Sequence, residues 1–522
     1  MSTSGIATSS VLLILLVAAP LCRAQGYTPQ TPTTVPYDNR GLGSPDVALT
    51  DPRLASNAMG NTPEQVADFL CPVNTCLCGA NTCYTSQYGC KNGTLTQNPT
   101  DNGGFCPTSS SVASIVRYGT TAALGSTATG SANSYTVNNA VTAGQTYVSG
   151  LLHSVTLTGL SANTQYYYTV GDGNNAQSMS FNLKTLQAVS PSFSSYRIGV
   201  FADLGLTTNS TMTVEHLVQS NSQAFINIGD FVYADNYTPN AANRWDGWYR
   251  YLQQLLSYGP MIAVEGNHEI ETQLDGTQFA AYKARYGNDV TALGGSGSPF
   301  YFSVNVPGAH IVVLAAYGAD YSVGSAQYNW LQADLAKVDR TQTPFIISLA
   351  HPPVYNTYKS HYKELECMRQ SFEPLLYKAG VDLAMYGHVH AYERTNRVNN
   401  YINDNCGITH ITVGDGGNSE QLQTVYVDDG SSGACPAPVA SRCPTYQAAD
   451  AGGPQNGFCP PKQPLWSAFR EAAFGHGTLD ITPTQLVWSW HRNQDGEPVV
   501  SDTITIDKGS FGGCANHPAT SG

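Results

Sequence analysis

The sequence is short of charge. Lysine and arginine number 24 and aspartate and glutamate 37. Only 12% of 522 residues are therefore charged, against about 25% in an average globular chain. That scarcity excludes a coiled coil or a helical bundle, whose outer faces are built from charged helix formers. Basic residues are the scarcer kind, and the formal net charge is -13. Such a balance excludes a nucleic-acid partner, which needs a basic face. No apolar run reaches the roughly 18 residues of a membrane helix, so no membrane span is expected. Paired CxxC spacings are missing too, which argues against structural zinc. There is no internal repeat.

What is present builds cores. The apolar fraction is 41% and there are 31 tyrosines, so the chain is no disordered acidic tail. Its length implies two or three domains. Residues 11–19, VLLILLVAA, are followed by Pro20 and by Leu21-Cys22-Arg23-Ala24. These read as a secretory signal cleaved after Ala24, although no Lys or Arg precedes the apolar run. Of the 13 cysteines, Cys22 lies in that segment and twelve remain. An even number in a secreted chain predicts disulfides, with six of them crowded between Cys71 and Cys106. Sequons at Asn92, Asn209 and Asn236 predict a glycoprotein.

Along the chain, residues 25–108 read as an extended arm and a Cys-rich disulfide module. Residues 109–187 carry short β-rich runs: Ser114–Tyr118, His153–Leu157 and Gln165–Val170. They predict a small β-sandwich. Residues 188–195 read as a linker. Beyond it, apolar strands alternate with helices. Strands are predicted at Arg197–Ala202, Ala224–Ile228, Met261–Val264, Phe345–Leu349 and Val381–Met385. Helices are predicted at Thr211–Val218, Trp245–Leu256, Ala326–Val338 and Glu364–Lys378, with Trp330, Leu331 and Leu335 facing inward in the third. This is an α/β pattern with mixed sheets. Residues 506–522 read as a tail.

Each of those strands stops at a metal-competent residue. Ligands in α/β folds gather at the carboxyl ends of strands. Asp203, Asp230, Asn267, His351, His388 and His390 should therefore converge. Singly, an Asp after a strand is usually a turn or a helix cap, and a lone His a satisfied polar group. An ordered series of such coincidences is hard to dismiss.

The blocks are ADLG (202–205), GDFVY (229–233), GNHE (266–269), LAHPPVY (349–355) and GHVHAYER (387–394). They resemble the metallophosphoesterase signature, and more closely its purple acid phosphatase branch of plant-type, high-molecular-weight members. REAAFGHGTLDI (470–481) and WSWHRNQDG (488–496) resemble the C-terminal part of that family. The fold implied is an all-β fibronectin-III-like N-terminal domain (109–187) plus an α/β metallophosphoesterase domain (196–505), with two mixed β-sheets sandwiched by helices. The resemblance implies that Asp203, Tyr233 and His390 hold Fe(III). Asn267, His351 and His388 would hold a divalent metal (Fe, Zn or Mn), and Asp230 would bridge the two. A phenolate suits Fe(III), and the mixed His, carboxylate and amide set suits a borderline divalent ion. Tyrosinate-to-iron charge transfer gives the family its colour. His268 and His361 match positions that bind phosphate and help protonate the leaving group, and Glu269 would orient its neighbour. His476 and His491 read as structural parts of the C-terminal blocks. His153, His216, His310 and His517 match no block.

The expected activity is that of a secreted acid phosphatase acting on small phosphorylated substrates, located extracellularly in the cell wall or in the vacuole. Two carboxylates and a phenolate offset only part of the charge on Fe(III) and a divalent ion. The centre thus stays cationic in an acidic chain, and salt screens distant surface charge. Metal binding lowers the pKa of water, so direct attack on phosphorus with no phosphoenzyme is expected. HPPVYNTYKSHYKELECMRQ (351–370), VGDGGN (413–418), and Arg40-Gly41 with Thr50-Asp51-Pro52-Arg53 resemble a phytase-like subgroup. That makes phytate a candidate substrate. The Cys-containing insert which that subgroup carries after its GDxxY block is missing here. Cys367 and Cys406 flank one helix–strand unit and could pair with each other. Alternatively, Cys406 lies near the interchain bridge of some family members, which would give a homodimer. Two other functions fit the chain. One is a phosphodiesterase or nucleotide pyrophosphatase on the same centre. The other is a non-catalytic secreted glycoprotein with the metal as scaffold.

Overall fold

The computed structural model describes residues 13–17, 75–77, 83–85, 88–91, 94–97, 113–138, 146–173, 177–236, 242–287, 290–291, 293–429, 459–460, 462–509 and 514. The presumed cleavage site, Asn92, His517, residues 40–53 and the pairing within the six-Cys module lie outside them. Of that module, two short hairpins are described: Thr75–Leu77 with Cys83–Thr85, and Tyr88–Lys91 with Thr94–Gln97. Leu13–Val17 forms a strand antiparallel to Leu152–Leu157.

The N-terminal unit is all β. Ile115–Gly119, Ser126–Thr129, Gln165–Gly171 and Phe181–Lys184 form one four-stranded antiparallel sheet. Alternate residues of these strands, Tyr166, Tyr168 and Val170 with Phe181 and Leu183, turn into a shared core with Val155 and Leu157. That period of two is what a half-buried strand requires. Three tyrosines fix the unit onto the next one. Tyr147 Oη donates to Asp246 at 2.6 Å and Tyr168 Oη to the Ser257 carbonyl at 2.8 Å, while Arg285 Nε donates to Tyr135 Oη at 3.0 Å.

The α/β unit contains two mixed sheets. In spatial order the first runs Met261–Ala263, Ala224–Asn227, Tyr196–Phe201, Gly475–Ile481, Gln485–Arg492 and Asp502–Asp507. Its first three strands are parallel and the rest antiparallel. The second runs Phe302–Val306, Ala309–Val313, Phe345–Leu349, Leu383–Tyr386, Thr409–Val413, Tyr392–Thr395 and Ser467–Glu471. Its four inner parallel strands are Ala309–Val313 through Thr409–Val413.

The two sheets pack face to face. Ile198, Val200, Ile226, Leu479 and Trp488 of the first meet Ile311, Val313, Ile347, Leu349, Met385 and Ile411 of the second. The opposite faces are covered by helices. Phe201 and Phe225 meet Val214 and Leu217 of helix Thr208–Gln219, and Trp245, Trp248 and Leu252 of helix Arg244–Leu256. Val312, Ile346 and Ala384 meet Leu331 of helix Ala326–Leu335, and Phe372 and Leu376 of helix Glu366–Ala379. Burial on both faces is why these strands read as continuous apolar runs. Among the described residues no helix is long and apolar enough to cross a membrane.

Three expectations need correction. Helix Ala326–Leu335 ends three residues before the predicted Val338; its Leu331 and Leu335 are buried, and Trp330 is half buried against the same core. The next helix starts at Glu366, not at 364. His361 and Lys363 have φ of 57° and 53°, a left-handed conformation that a right-handed helix cannot contain. Cys406 pairs with Cys514, not with Cys367, which leaves it no thiol for a second chain. Cys514 is buried against the inter-sheet core, while Cys367 and Cys459 are also disulfide-bonded.

Candidate metal centre

The sheets aim their parallel strands the same way, and the predicted residues follow the carboxyl ends. Asp203 follows Tyr196–Phe201, Asp230 follows Ala224–Asn227 and Asn267 follows Met261–Ala263. His351 follows Phe345–Leu349, and His388 and His390 follow Leu383–Tyr386. Six of the seven residues predicted as ligands lie within a few ångströms of one another, and the seventh, Asn267, adjoins His268, whose N–H meets Asp230.

They form two adjoining groups. In the first, Tyr233 Oη lies 3.1 Å from Asp203 Oδ1 and 3.2 Å from His390 Nε2, and His390 Nε2 is 3.4 Å from Asp203 Oδ1. In the second, one ligand atom each of Asp230, His351 and His388 lies within 4.8 Å of the others. His351 Nε2 is 2.9 Å from Asp230 Oδ2 and 4.0 Å from Asp203 Oδ1, so the two groups touch through the aspartates.

The backbone is bent to make this possible. Asp203, Asp230, Tyr233 and His388 all have positive φ, between 52° and 67°. Non-glycine residues seldom adopt it, and such strain gathers at functional sites. The glycines of the motifs have a packing reason. A Cβ on Gly266 would strike the Asp230 carboxylate, and one on Gly387 the Asp203 carboxylate. Each glycine in a block makes room for the ligand of another block.

Hydrogen bonds orient the donors. His351 Nδ1 donates to the Ile228 carbonyl at 2.6 Å and His390 Nδ1 to the Gln421 carbonyl at 3.2 Å, which fixes each ring with Nε2 turned toward an aspartate. Asp203 Oδ2 accepts the His388 N–H at 2.8 Å, and Asp230 Oδ1 accepts that of His268 at 2.9 Å. Glu269 is fully buried. Its Oε2 accepts the N–H groups of Asp230 and Gly266, both at 2.8 Å, and its Oε1 that of Phe231 at 2.9 Å. It thereby ties the GD and GN turns together.

A cation fits the group left over. Asn267 Oδ1 is buried with no hydrogen-bond partner among the described residues. Asp230 Oδ2, His351 Nε2 and His388 Nε2 are buried with no partner in hydrogen-bond geometry, although Asp230 Oδ2 and His351 Nε2 are 2.9 Å apart and His388 Nε2 is 3.5 Å from Glu364 Oε2. Buried polar atoms are rarely left so, and these are an oxygen and nitrogen set of metal-binding type. Charges point the same way. Burial raises the Asp230 pKa, but His351 and His268 outweigh it and hold the carboxyl well below the usual range. Burial, with Asp203 and Asp230 beside it, pushes the Tyr233 phenol well above its ordinary value. Burial lowers His388 to about 3, so its imidazole is neutral and able to coordinate.

Two histidines flank the groups. His268 stacks on Tyr233 with ring centroids 4.2 Å apart, and His361 stacks on His388 at 3.8 Å. His268 Nδ1 is 2.8 Å from Asp235 Oδ1, and its Nε2 is 3.5 Å from Glu420 Oε1. Burial opposes a charge on His268, yet Asp230, Asp235 and Glu420 push its pKa up to about 12. His361 Nδ1 is 2.6 Å from Glu364 Oε2, which is also 3.5 Å from His388 Nε2. Asp235, Glu364 and Glu420 were not foreseen. Asp235 stands two residues after Tyr233 and Glu420 two residues after the VGDGGN block, so both were within reach of a motif, whereas Glu364 was read as the start of a helix.

The remaining motifs are supports. Asn418 donates its backbone N–H and its Nδ2 to the Asp203 carbonyl, at 3.1 and 3.0 Å. Asp415 accepts the Trp490 indole N–H at 2.7 Å, tying the GDGGN turn to the C-terminal block. His476 is fully buried and stacks on His491 at 5.1 Å. His310 bridges Asn305 and Asp334, and His153 contacts Ser114. Asn209 is half buried in the first helical turn, and Asn236 is exposed but donates Nδ2 to Glu420 at 2.6 Å.

Known proteins match this arrangement over most of the chain. Residues 196–392 match the calcineurin-like phosphoesterase family, residues 105–185 the purple acid phosphatase N-terminal domain, and residues 448–503 the iron/zinc purple acid phosphatase-like protein C. Purple acid phosphatase 15 of Arabidopsis thaliana is 37% identical over 530 residues, which cover 96% of this chain and 97% of the relative. The chain belongs to the purple acid phosphatase family. It is accordingly an acid phosphatase of the binuclear metallophosphoesterase class. The Fe(3+)-Zn(2+) purple acid phosphatase 12 of the same plant is 35% identical over 377 residues, covering 69% of this chain and 72% of the relative. In fold, the chain is similar to a purple acid phosphatase from yellow lupin (Lupinus luteus) seeds, with TM-score 0.60 and 21% identity over 76% of this chain and 70% of that one.

Proposed function

We propose that the protein is a secreted phosphatase that hydrolyses small phosphate monoesters, phytate among them, at a binuclear centre. Asp203, Tyr233 and His390 hold Fe(III). Asn267, His351 and His388 hold a divalent ion (Fe, Zn or Mn), and Asp230 is shared. Residues 109–187 are the accessory β unit and residues 196–505 the catalytic unit. One observation carries this most. Four buried donor atoms, on Asp230, Asn267, His351 and His388, stand without a partner in hydrogen-bond geometry next to the Asp203–Tyr233–His390 group. The name of a relative carrying Fe(3+) and Zn(2+) agrees with the donor types.

When bound, the two cations supply positive charge for the phosphate and the Lewis acidity that makes water a nucleophile near neutral pH. The side chains do the rest. His361 is exposed and held at Nδ1 by Glu364, so Nε2 is the end that gives a proton to the departing alkoxide. His268, anchored by Asp235, presents Nε2 on the Tyr233 side, where it binds a phosphate oxygen. Attack is direct, and no side chain is phosphorylated.

The test is the visible absorption spectrum with a p-nitrophenyl phosphate assay. A broad visible band is expected, and it should vanish in Tyr233→Phe. A colourless, metal-bearing, active protein would refute the iron–tyrosinate assignment. A panel of p-nitrophenyl phosphate, phytate, ATP and a diester ranks substrates. Secretion predicts that protein recovered from culture medium begins at Gln25.

A further inference from the structure

Glu265 has no part in the site described so far. It stands two residues before Asn267 and is fully buried. Its Oε1 accepts three successive backbone N–H groups: Ala316 at 3.0 Å, Tyr317 at 2.9 Å and Gly318 at 3.0 Å. Its Oε2 is buried with no hydrogen-bond partner among the described residues. Taking a carboxylate out of water is expensive, and here three amide bonds to one oxygen compensate it. A neutral side chain serves the preceding residue. Gln327 Oε1 accepts the Ala315 N–H at 2.7 Å, and its Nε2 donates to the Ala315 carbonyl at 3.1 Å. Four consecutive N–H groups of this turn are thus closed by side chains from elsewhere.

The turn carries Tyr317. Its ring centroid lies 6.3 Å from that of His351 and 6.3 Å from that of His388, and those two rings are 5.1 Å apart. The three rings form one packed cluster on the Asn267 side of the centre. Asn267 itself sits between two glutamates that each close three N–H groups, Glu269 toward the Asp230 turn and Glu265 toward the Tyr317 turn.

We propose that Glu265 is a positioning residue for the Asn267–His351–His388 half of the centre. It clamps the 316–318 turn to the strand end bearing Asn267, and so holds the Tyr317 ring against both histidines. This rests on taking those three residues as the ligands of the divalent ion. Without the clamp the turn has three open amides, the Tyr317 ring drifts, and the two imidazoles gain rotational freedom. Partners that orient metal ligands typically contribute roughly 10- to 100-fold in metal affinity.

The experiment uses the full-length chain and measures metal content and the Kd for Zn(II) by chelator competition, with no reference to turnover. Glu265→Ala should weaken Zn(II) by roughly 10- to 100-fold while iron content and the visible band stay unchanged. Glu265→Gln should recover most of the affinity, because its Oε1 still accepts the three N–H groups. In a Tyr317→Ala background, Glu265→Ala should have far less effect, since Glu265 acts through that ring. Should Glu265→Ala fail to fold, Tyr317→Ala alone must show selective Zn(II) loss. An unchanged Zn(II) affinity in Glu265→Ala, or equal loss of iron and zinc, overturns the proposal. A wild-type chain that takes up no divalent ion would instead overturn the two-metal assignment on which it rests.

Discussion

Asp230 is the residue on which most of the site depends. Its N–H is taken by Glu269, its Oδ1 receives the His268 N–H, and its Oδ2 lies 2.9 Å from His351 Nε2. Asp230→Ala removes the carboxylate that meets both the His351 ring and the His268 backbone. Metal analysis should find both ions lost and activity at background. Two ions retained per chain would rule out the shared role. His361 is different. It is held by Glu364 and stacks on His388, but it is not among the predicted ligands. His361→Ala should keep both ions and the visible band, and should slow kcat by roughly 100- to 10,000-fold, the usual worth of a positioned proton donor. The predicted ligands were legible because each lies in a short motif at or just after a strand end. Tyr317 was not, since it reaches the site from a loop whose sequence carries no motif, and Glu420 lies two residues beyond the VGDGGN block.

At the scale of elements, strands were more legible than helix ends. Phe345–Leu349 is an apolar run covered on both faces, and its limits follow from where burial stops. The start of helix Glu366–Ala379 depends on two left-handed residues upstream, which composition does not announce. Strand Thr409–Val413 carries a pH liability. His410 is fully buried, with Nδ1 3.1 Å from Tyr386 Oη and its ring 4.5 Å from that of Tyr355. Burial, and then Arg369, lowers its pKa to about 3. A histidine in the unfolded chain titrates near 6.5, so the unfolded state binds the extra proton between the two values. The stability that neutral His410 contributes is complete above about pH 6.5 and is lost as pH falls toward about 3. At pH 5 the loss is roughly 2 kcal/mol. Urea unfolding at pH 7.5 and pH 5 should therefore show a smaller acid loss in His410→Gln than in the wild type. An equal loss in both would show that His410 does not set it.

The whole molecule is closed by a disulfide. Cys406 and Cys514 are 108 residues apart, and their link fastens the C-terminal segment to the inter-sheet core. In the chain-entropy picture a loop of that size is worth about 4.7 kcal/mol. Cys514→Ser should lose a stability of that order in denaturant unfolding. The wild type should also run at the same mass with and without reductant, because Cys406 is already paired within the chain. A band of doubled mass that depends on Cys406 would contradict this. The N-terminal unit is held to the catalytic unit by the hydrogen bonds of Tyr135, Tyr147 and Tyr168, a contact that no sequence motif foretold.

The sequence by itself determined which residues end up at the centre and in what order. Parallel strands deliver their carboxyl ends to one edge, and the glycines beside Asp230, Asn267 and His388 record how tightly the blocks pack there. Tertiary structure alone decided the rest. It sorted the donors into two groups, turned Glu265 to the Tyr317 turn and Glu269 to the Asp230 turn, brought Glu420 beside His268, and joined Cys406 to Cys514. The physical reason is distance along the chain. Local sequence governs strands, turns and caps, whereas partners 50 or 108 residues apart meet only when the sheets close, as Glu265 and Tyr317 do across 52.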